Sequence, residues 1–314
     1  MSMPHRLSVV IPLYNEQQAL PPLLEELDAV LGGIAGGPHE IVAVDDGSTD
    51  ATLATLEAAA RQDPRLVIVS LSRNFGHQAA ICAGLDHESG DIVVVMDGDG
   101  QDPPGAIHRL LAQLEAGYDV VYAQRTNRKE GALQRAAYYL YYRIVAALSE
   151  TPLPLDAGDF AVLSRRVVDA IRATPERHRY LRGLRTWVGF RQTGIPVERV
   201  ARLSGTSKYD ARALFGLAFD GIFAFSVVPL RAATIIGAGS VLLSSLFAIY
   251  SLWAKFFHDV APRGFTALII AIIFLSGVQL FFMGVIGEYV ARVYEETKAR
   301  PIDLVSRVIR GGRS

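Results

Sequence analysis

Residues 93–105 read VVVMDGDGQDPPG, which sets Asp97, Asp99, Gln101 and Asp102 into one short turn. Carboxylates this close repel one another unless a cation neutralises them. Two acids one residue apart, with a neutral amide oxygen two residues on, offer the hard oxygen donors that Mg²⁺ or Mn²⁺ prefers. Gly98 and Gly100 let the backbone turn sharply beside a bulky ligand. Pro103 and Pro104 fix the exit, and Pro104 suits the first turn of a following helix. A cation with few protein ligands completes its shell from phosphate oxygens. The chemistry indicated is binding of a nucleoside diphosphate, the metal offsetting charge on a leaving group.

The elements around this turn must hold it at an accessible edge. Ile92–Met96 is a continuous apolar run, as expected of a strand buried on both faces of a parallel sheet. Its acids then lie at the strand's carboxyl end, where open α/β sheets bind ligands. EIVAVDDGSTD gives a second acidic strand end at Asp45 and Asp46, whose loop should converge on the same crevice. LSVVIPLYN, LVIVSLS and DVVYAQR read as further strands. The helical spacing of Leu20, Leu23, Leu24, Leu27 and Leu31, a helix from Ala51 capped by Ser48, Thr49 or Asp50, HQAAICAGLDHE and AIHRLLAQLEAG supply helices between them. The alternation predicts an α/β fold with a mostly parallel sheet over about residues 5 to 130. His77 reads as a polar residue at a helix start or donor loop, not as a metal ligand, and Cys82 as a packed helix residue.

Beyond Arg125 a basic loop leads into a helix carrying Tyr138, Tyr139, Tyr141 and Tyr142, which mark a membrane surface. Phe215, Phe219 and Phe223 recur every fourth residue and predict an interfacial amphipathic helix. Ala232–Ala254 and Phe265–Gly287 are each 23 residues without a charge, more than the ~20 needed to span a bilayer. They predict a transmembrane hairpin instead of two buried helices of a soluble core. Its glycines 237, 239, 277, 284 and 287 would permit close helix contact, and Tyr250 and Trp253 would join an aromatic belt. Arg231, Arg292, Lys298, Arg300, Arg307, Arg310 and Arg313 flank the hairpin, against Lys255 and Arg263 in its loop, so both termini are expected in the cytoplasm. The start lacks an apolar segment of signal-peptide length. A single cysteine fits a reducing compartment. A net charge of −1 argues against a nucleic-acid partner. The last residues read as a charged helix and a short amphipathic piece, lying on the membrane or holding a neighbouring subunit.

VVIPLYNE, VDDGSTD, MDGDGQDPP, AQR, DAGDF and SKY, in this order and followed by two membrane helices, resemble the polyprenyl-phosphate glycosyltransferases of glycosyltransferase family two. That group includes dolichyl-phosphate mannose synthases and bacterial undecaprenyl-phosphate glucosyltransferases. The resemblance implies a GT-A catalytic domain over residues 1–210, an interfacial helix over 211–230, the hairpin over 231–288 and a cytoplasmic tail over 289–314. It implies inverting, metal-dependent transfer of a sugar from a nucleotide sugar, UDP-glucose first, to polyprenyl phosphate at the cytoplasmic face of the inner membrane. UDP-N-acetylhexosamine, a UDP-4-amino-arabinose derivative and GDP-mannose are the other donors considered. A homotetramer is expected by the same resemblance.

Carried over residue by residue, the resemblance has Pro12, Tyr14, Glu16, Asp45 and Asp46 lining base and ribose. Asp97, with Gly98 beside it, Asp99 and Gln101 hold the metal and diphosphate. Arg125 and Arg135 meet phosphates, with Arg128 and Lys129 in the same basic loop. Asp156 and Asp159 face the sugar and acceptor, and Ser207 and Lys208 contact phosphate or donor. Two residues depart from the pattern: Gly100 replaces a common leucine, and Ala161 follows Phe160 where an aromatic or basic residue is usual. A processive polysaccharide synthase would carry a QxxRW motif, which is absent. A nucleotidyltransferase would carry a glycine-rich basic loop where Tyr14-Asn15-Glu16 stands. An inactive membrane scaffold or lipid-binding subunit is the remaining alternative, and retention of the acids and arginines speaks against it.

Overall fold

The computed structural model describes residues 5–126, 157–174, 176, 180–199, 228–258 and 264–312. The expected alternation is present: β1 (Leu7–Leu13), α1 (Leu20–Gly32), β2 (Glu40–Asp45), α2 (Thr52–Ala60), β3 (Leu66–Leu71), α3 (His77–His87), β4 (Ile92–Val95), α4 (Ile107–Glu115) and β5 (Val120–Thr126). Pro104 opens a single 3₁₀ turn that runs into α4, as a proline before a helix should. Beyond the expected limit near residue 130, β6 (Ala157–Ser164), α5 (Arg165–Ala173), α6 (Leu181–Trp187) and β7 (Gln192–Glu198) continue the same body. Then come α7 (Val228–His258), α8 (Phe265–Thr297) and β8 (Val305–Arg310).

The eight strands order as β7-β5-β6-β4-β1-β2-β3-β8. β4, β1, β2 and β3 are mutually parallel. β6 is antiparallel to both β4 and β5, β7 is parallel to β5, and β8 is antiparallel to β3. The first three strands are buried along their whole length, because helices cover both faces. Alternate residues separate into two cores. Val9, Ile11, Ile41, Ala43, Ile68 and Val94 pack with leucines of α1, α2 and α4. Val10, Val42, Val44, Val69, Val93 and Val95 pack with α3, α5 and α6. The α2 start departs from expectation in detail: its cap position is Ala51, and of the three residues proposed as caps Asp50 accepts the Thr52 N–H, at 2.9 Å.

α7 and α8 form a second compact unit. Both are longer than the uncharged segments, and both contain windows long and apolar enough to cross a membrane. The alternative of two buried core helices fails, since Ile235, Leu243 and Phe256 are exposed by 72%, 71% and 78%. Such a surface is stable only against another apolar phase, which associates the protein with a membrane. The glycine expectation is corrected. A Cβ added at Gly237, Gly239, Gly277, Gly284 or Gly287 would meet nothing within 4 Å, so these glycines do not bring the chain's own two helices together.

The C-terminal amphipathic piece takes a place in the fold that the sequence did not show. Residues 300–312 belong to the catalytic unit, and β8 adds antiparallel to β3, Val69 opposite Val308. Short alternation in VSRVIR suits a strand, and the open edge of β3 supplies the partner that the sequence could not show. Gly311 closes the connection, its N–H donating to Leu66 O at 2.8 Å. A Cβ there would collide with the Asp63 carbonyl and lie 2.9 Å from that of Ala60. Gly311→Ala should therefore loosen β8. With overpacking worth about 1–3 kcal/mol, hydrogen–deuterium exchange should show β3 amides exchanging roughly tenfold to a hundredfold faster, with β1 unchanged.

Candidate active site

The strand directions bring one edge of the sheet together. The carboxyl ends of β1, β2, β3 and β4 share it by parallel pairing, and the start of β6 joins them by running antiparallel to β4. β5 and β7 also end there, with Arg125 paired in register to Val197. Because β2 and β4 flank β1 on opposite sides, the chain reverses its order between β1 and β4. This is the switch point where α/β sheets form a ligand crevice.

At that point β4 delivers Met96 and Asp97. Gly98 packs against β1, where a Cβ would collide with the Leu13 side chain and sit 2.9 Å from Pro12 O. Gly100 has φ +73°, a left-handed turn that favours glycine. Asp99 accepts the Gln101 N–H at 3.1 Å. Arg199, just past β7, spans the turn: Nε donates to Asp102 Oδ1 at 2.8 Å, Nη1 to Gln101 Oε1 at 3.1 Å and Nη2 to Asp97 Oδ2 at 2.8 Å. Asp102 is buried, and its pKa is pushed up to about 6, by burial first and then by the Asp97 charge, with Arg199 opposing. Neither Arg199 nor a pairing role for Asp102 was foreseen from the sequence.

Asp159 opens β6 beside this turn. Arg182 of α6 holds it with two bonds, Nε to Oδ1 at 2.8 Å and Nη2 to Oδ2 at 2.9 Å. Burial would raise the pKa of Asp159, but the charge and hydrogen bond of Arg182, helped by His77, hold it well below the usual carboxylate range. His77, the first residue of α3, stands with Nε2 3.5 Å from Asp97 Oδ1 and 3.4 Å from Asp159 Oδ2. Burial disfavours its imidazolium, yet Asp159 and Asp97 outweigh this and raise its pKa. Below Asp159 lies the fully buried Arg185, which donates to Gly158 O at 3.2 Å while its Nε and Nη1 find no partner among the described residues. Burial lowers its pKa to about 10.

The side expected from the sequence to receive the nucleotide is built by two interlocked loops. Asn15 takes φ +56°, its N–H donates to Ser48 Oγ at 3.1 Å, and its Oδ1 accepts the Thr49 N–H at 2.8 Å. The Glu16 N–H donates to Thr52 Oγ1 at 2.9 Å. Tyr14 is exposed, whereas Pro12 is buried within β1. Asp45 and Asp46 are both buried. Asp45 accepts the Ser48 N–H, and Asp46 accepts those of Phe75 and Gly76 at 2.7 and 2.9 Å, so each carboxylate also ties neighbouring loops together. Burial, the largest influence, raises the pKa of Asp46 despite those two bonds. Arg128, Lys129, Arg135, Asp156, Ser207, Lys208, the tyrosine helix and the phenylalanine stripe lie outside the described residues.

A divalent cation fits this set. Asp97 Oδ1 is buried and accepts no hydrogen bond among the described residues. Ligand atoms of His77, Asp97 and Asp159 lie within 4.8 Å of one another. Carboxylate oxygens and an imidazole nitrogen suit a first-row or hard divalent ion.

Comparison with known proteins agrees with this geometry. The profile of Glycosyl transferase family 2 matches residues 8–172, and that of the GtrB C-terminal hairpin matches residues 228–293. An uncharacterized glycosyltransferase of Synechocystis is 42% identical over 301 residues, covering 96% of this chain and 94% of that protein. The bactoprenol glucosyl transferase of Shigella phage SfX is 37% identical over 301 residues, covering 96% and 98%. The prophage bactoprenol glucosyl transferase homolog of Escherichia coli K12 is 36% identical over 307 residues, covering 96% and 99%. Among solved structures, glucosyl-3-phosphoglycerate synthase of Mycobacterium tuberculosis, in complex with Mn²⁺, UDP and glucosyl-3-phosphoglycerate, matches with TM-score 0.50 and 20% identity over 70% of this chain and 78% of that one. This last likeness concerns the fold, a GT-A-like mixed sheet.

Removing the counter-charge of Asp159 tests the electrostatics. Arg182→Leu takes the guanidinium from a buried carboxylate, leaving only His77 beside it among the described residues, and should cost about 3 kcal/mol at neutral pH. In the wild type Asp159 has a depressed pKa, so its stabilisation is present above the ordinary carboxylate pKa and is lost only as pH falls through the depressed value. In the variant burial, which raises that pKa, is opposed by His77 without the guanidinium, so the pKa rises and protonation relieves the strain. Thermal unfolding should show the deficit of Arg182→Leu shrinking between about pH 7 and pH 5. A second test fills the space beside Gly98. Gly98→Ala should push the acidic turn away from β1 and weaken binding of added Mn²⁺ roughly tenfold, read by Mn²⁺ titration.

Proposed function

The chain belongs to glycosyltransferase family 2, and on that premise we propose that it transfers glucose from UDP-glucose to a polyprenyl phosphate at a membrane surface. The observation that carries this reading is the near full-length similarity to bactoprenol glucosyl transferases, which spans both the acidic crevice and the apolar hairpin. The bond formed joins an acceptor phosphate oxygen to the anomeric carbon. The bond broken joins that carbon to the β-phosphate of the donor, and UDP departs with the electron pair. Direct displacement inverts the anomeric centre.

In this reading Pro12, Tyr14, Glu16, Asp45 and Asp46 receive base and ribose. Asp97, Asp99 and Gln101 hold Mg²⁺ or Mn²⁺ against the donor diphosphate, with Gly98 giving the room. When bound, the cation withdraws charge from the leaving diphosphate. Arg125 shares that task, and Lys208 contacts the donor. The acceptor phosphate is already anionic at neutral pH and needs no strong base, so the work falls on residues that hold two anions together. Arg135, with Arg128 and Ser207, positions it in line with the anomeric carbon. Asp156 and Asp159 orient sugar hydroxyls or stabilise positive charge at the anomeric carbon. The pairing of Asp159 with Arg182 supports an electrostatic role, because a carboxyl held this far below its usual pKa gives up no proton at neutral pH.

The same reading sets the protein in the cytoplasmic membrane as a hairpin, with the catalytic domain and both termini on the cytoplasmic side and four copies to an assembly. The cationic residues flanking the hairpin support that orientation.

The test is transfer of radiolabelled sugar from UDP- and GDP-sugars to undecaprenyl phosphate by the full chain in detergent. UDP-glucose should give a mild-acid-labile glycolipid of inverted anomeric configuration. EDTA should abolish it, and Asp99→Ala should lower the rate by roughly 100-fold or more. If the folded protein forms no glycolipid from any donor, the reading fails.

A further inference from the structure

We infer that His77 is itself a ligand of the divalent cation, so that the cation is held by one imidazole nitrogen beside Asp97, and that this nitrogen makes the site prefer first-row transition ions such as Mn²⁺ to Mg²⁺. The inference rests on the metal-dependent reading above and adds a residue which the sequence placed outside the metal set.

Three observations carry it. His77 Nε2 lies 3.5 Å from Asp97 Oδ1 and 3.4 Å from Asp159 Oδ2. Donor atoms sharing one cation at bond lengths near 2.1 Å stand about 3 to 3.5 Å apart, so ring and carboxylates already have the spacing of neighbouring ligands. Second, the other carboxylate oxygens have cationic partners. Arg182 takes both oxygens of Asp159, and Arg199 takes Asp97 Oδ2. Asp97 Oδ1 is buried, accepts no hydrogen bond among the described residues, and lies beside the imidazole. Third, the backbone that carries the ring is held in advance. Gly76, at φ +99°, turns the chain into α3, and Asp46 clamps the N–H groups of Phe75 and Gly76 just before His77. Preset ligands of this kind are what a selective metal site needs.

The selectivity follows from ligand type. Mg²⁺ keeps oxygen ligands and several waters, whereas an imidazole favours first-row transition ions. A site of Asp97, Asp99 and Gln101 alone would be all oxygen and would discriminate little.

The experiment uses the full chain in detergent with Mn²⁺ and UDP. Pulsed electron paramagnetic resonance of bound Mn²⁺ should show coupling to a histidine nitrogen, which changes from the ¹⁴N to the ¹⁵N pattern when the protein is made with ¹⁵N-histidine. The coupling should vanish in His77→Ala and in His77→Gln, and the preference for Mn²⁺ over Mg²⁺, read by competition, should fall about tenfold. Labelling needs no substitution, so a variant that misfolds does not stall the test. Bound Mn²⁺ with no nitrogen coupling, or coupling that survives in a folded His77 variant, overturns this inference alone. Failure of the wild type to bind Mn²⁺ at all, matching an Asp97→Asn control, overturns the metal-dependent reading beneath it.

Discussion

Everything at the active edge depends on keeping Asp97, Asp102 and Asp159 together at a largely desolvated site. Left to burial, such carboxylates would take up protons and lose the charge that makes them useful. Arg199 answers for Asp97 and Asp102, and Arg182 for Asp159. The acids of the DGDGQD turn come from the regular alternating part of the chain, whereas both arginines come from elements beyond residue 157. The later elements are thus a scaffold for counter-charge. β7 ends where Arg199 can span three residues of the turn, and α6 lies where Arg182 can meet Asp159 squarely.

How much of this was legible follows from what sequence encodes locally. Continuous Val/Ile runs gave β1 to β5, and acids at strand ends gave the crevice, because strand burial and switch-point position are local consequences of pattern. Asp45 and Asp46 were placed at the right edge, though their bonds to the Ser48, Phe75 and Gly76 amides show that they also build the loops. Arg182 and Arg199 were not legible. Each lies in a stretch with several other arginines, and only long-range packing decides which of them meets an acid. His77 was correctly set at a helix start, but its proximity to Asp159 depends on β6 pairing with β4, a long-range contact that sets Ile92 opposite Ser164.

β8 was hidden for a similar reason. Six residues with two arginines show only a short alternation, and their partner is the edge of β3, far away in sequence. Covering that edge removes a row of unpaired backbone groups that would otherwise invite other strands. It also changes the chain's topology. α7 and α8 are bounded on both sides in sequence by segments of the catalytic unit, so the apolar helices are an insertion in that unit's chain, tethered at both ends, and not an appended tail.

The arrangement of Arg199 bears on how a cation and a guanidinium can serve one carboxylate. Two of its nitrogens bond to Asp102, the more buried acid, so the arginine is anchored there whether or not it keeps its bond to Asp97. Asp97 spends only Oδ2 on it and leaves Oδ1 without a hydrogen bond. A cation held at Oδ1, as proposed above, would therefore not have to displace the guanidinium, and the two positive charges would add. A guanidinium alone would neutralise the acids but has no open coordination position for phosphate oxygen. A cation alone would leave Asp102 buried and unpaired. In the proposed site each would supply what the other cannot, and Asp102, bonded twice by Arg199, would serve to anchor the guanidinium.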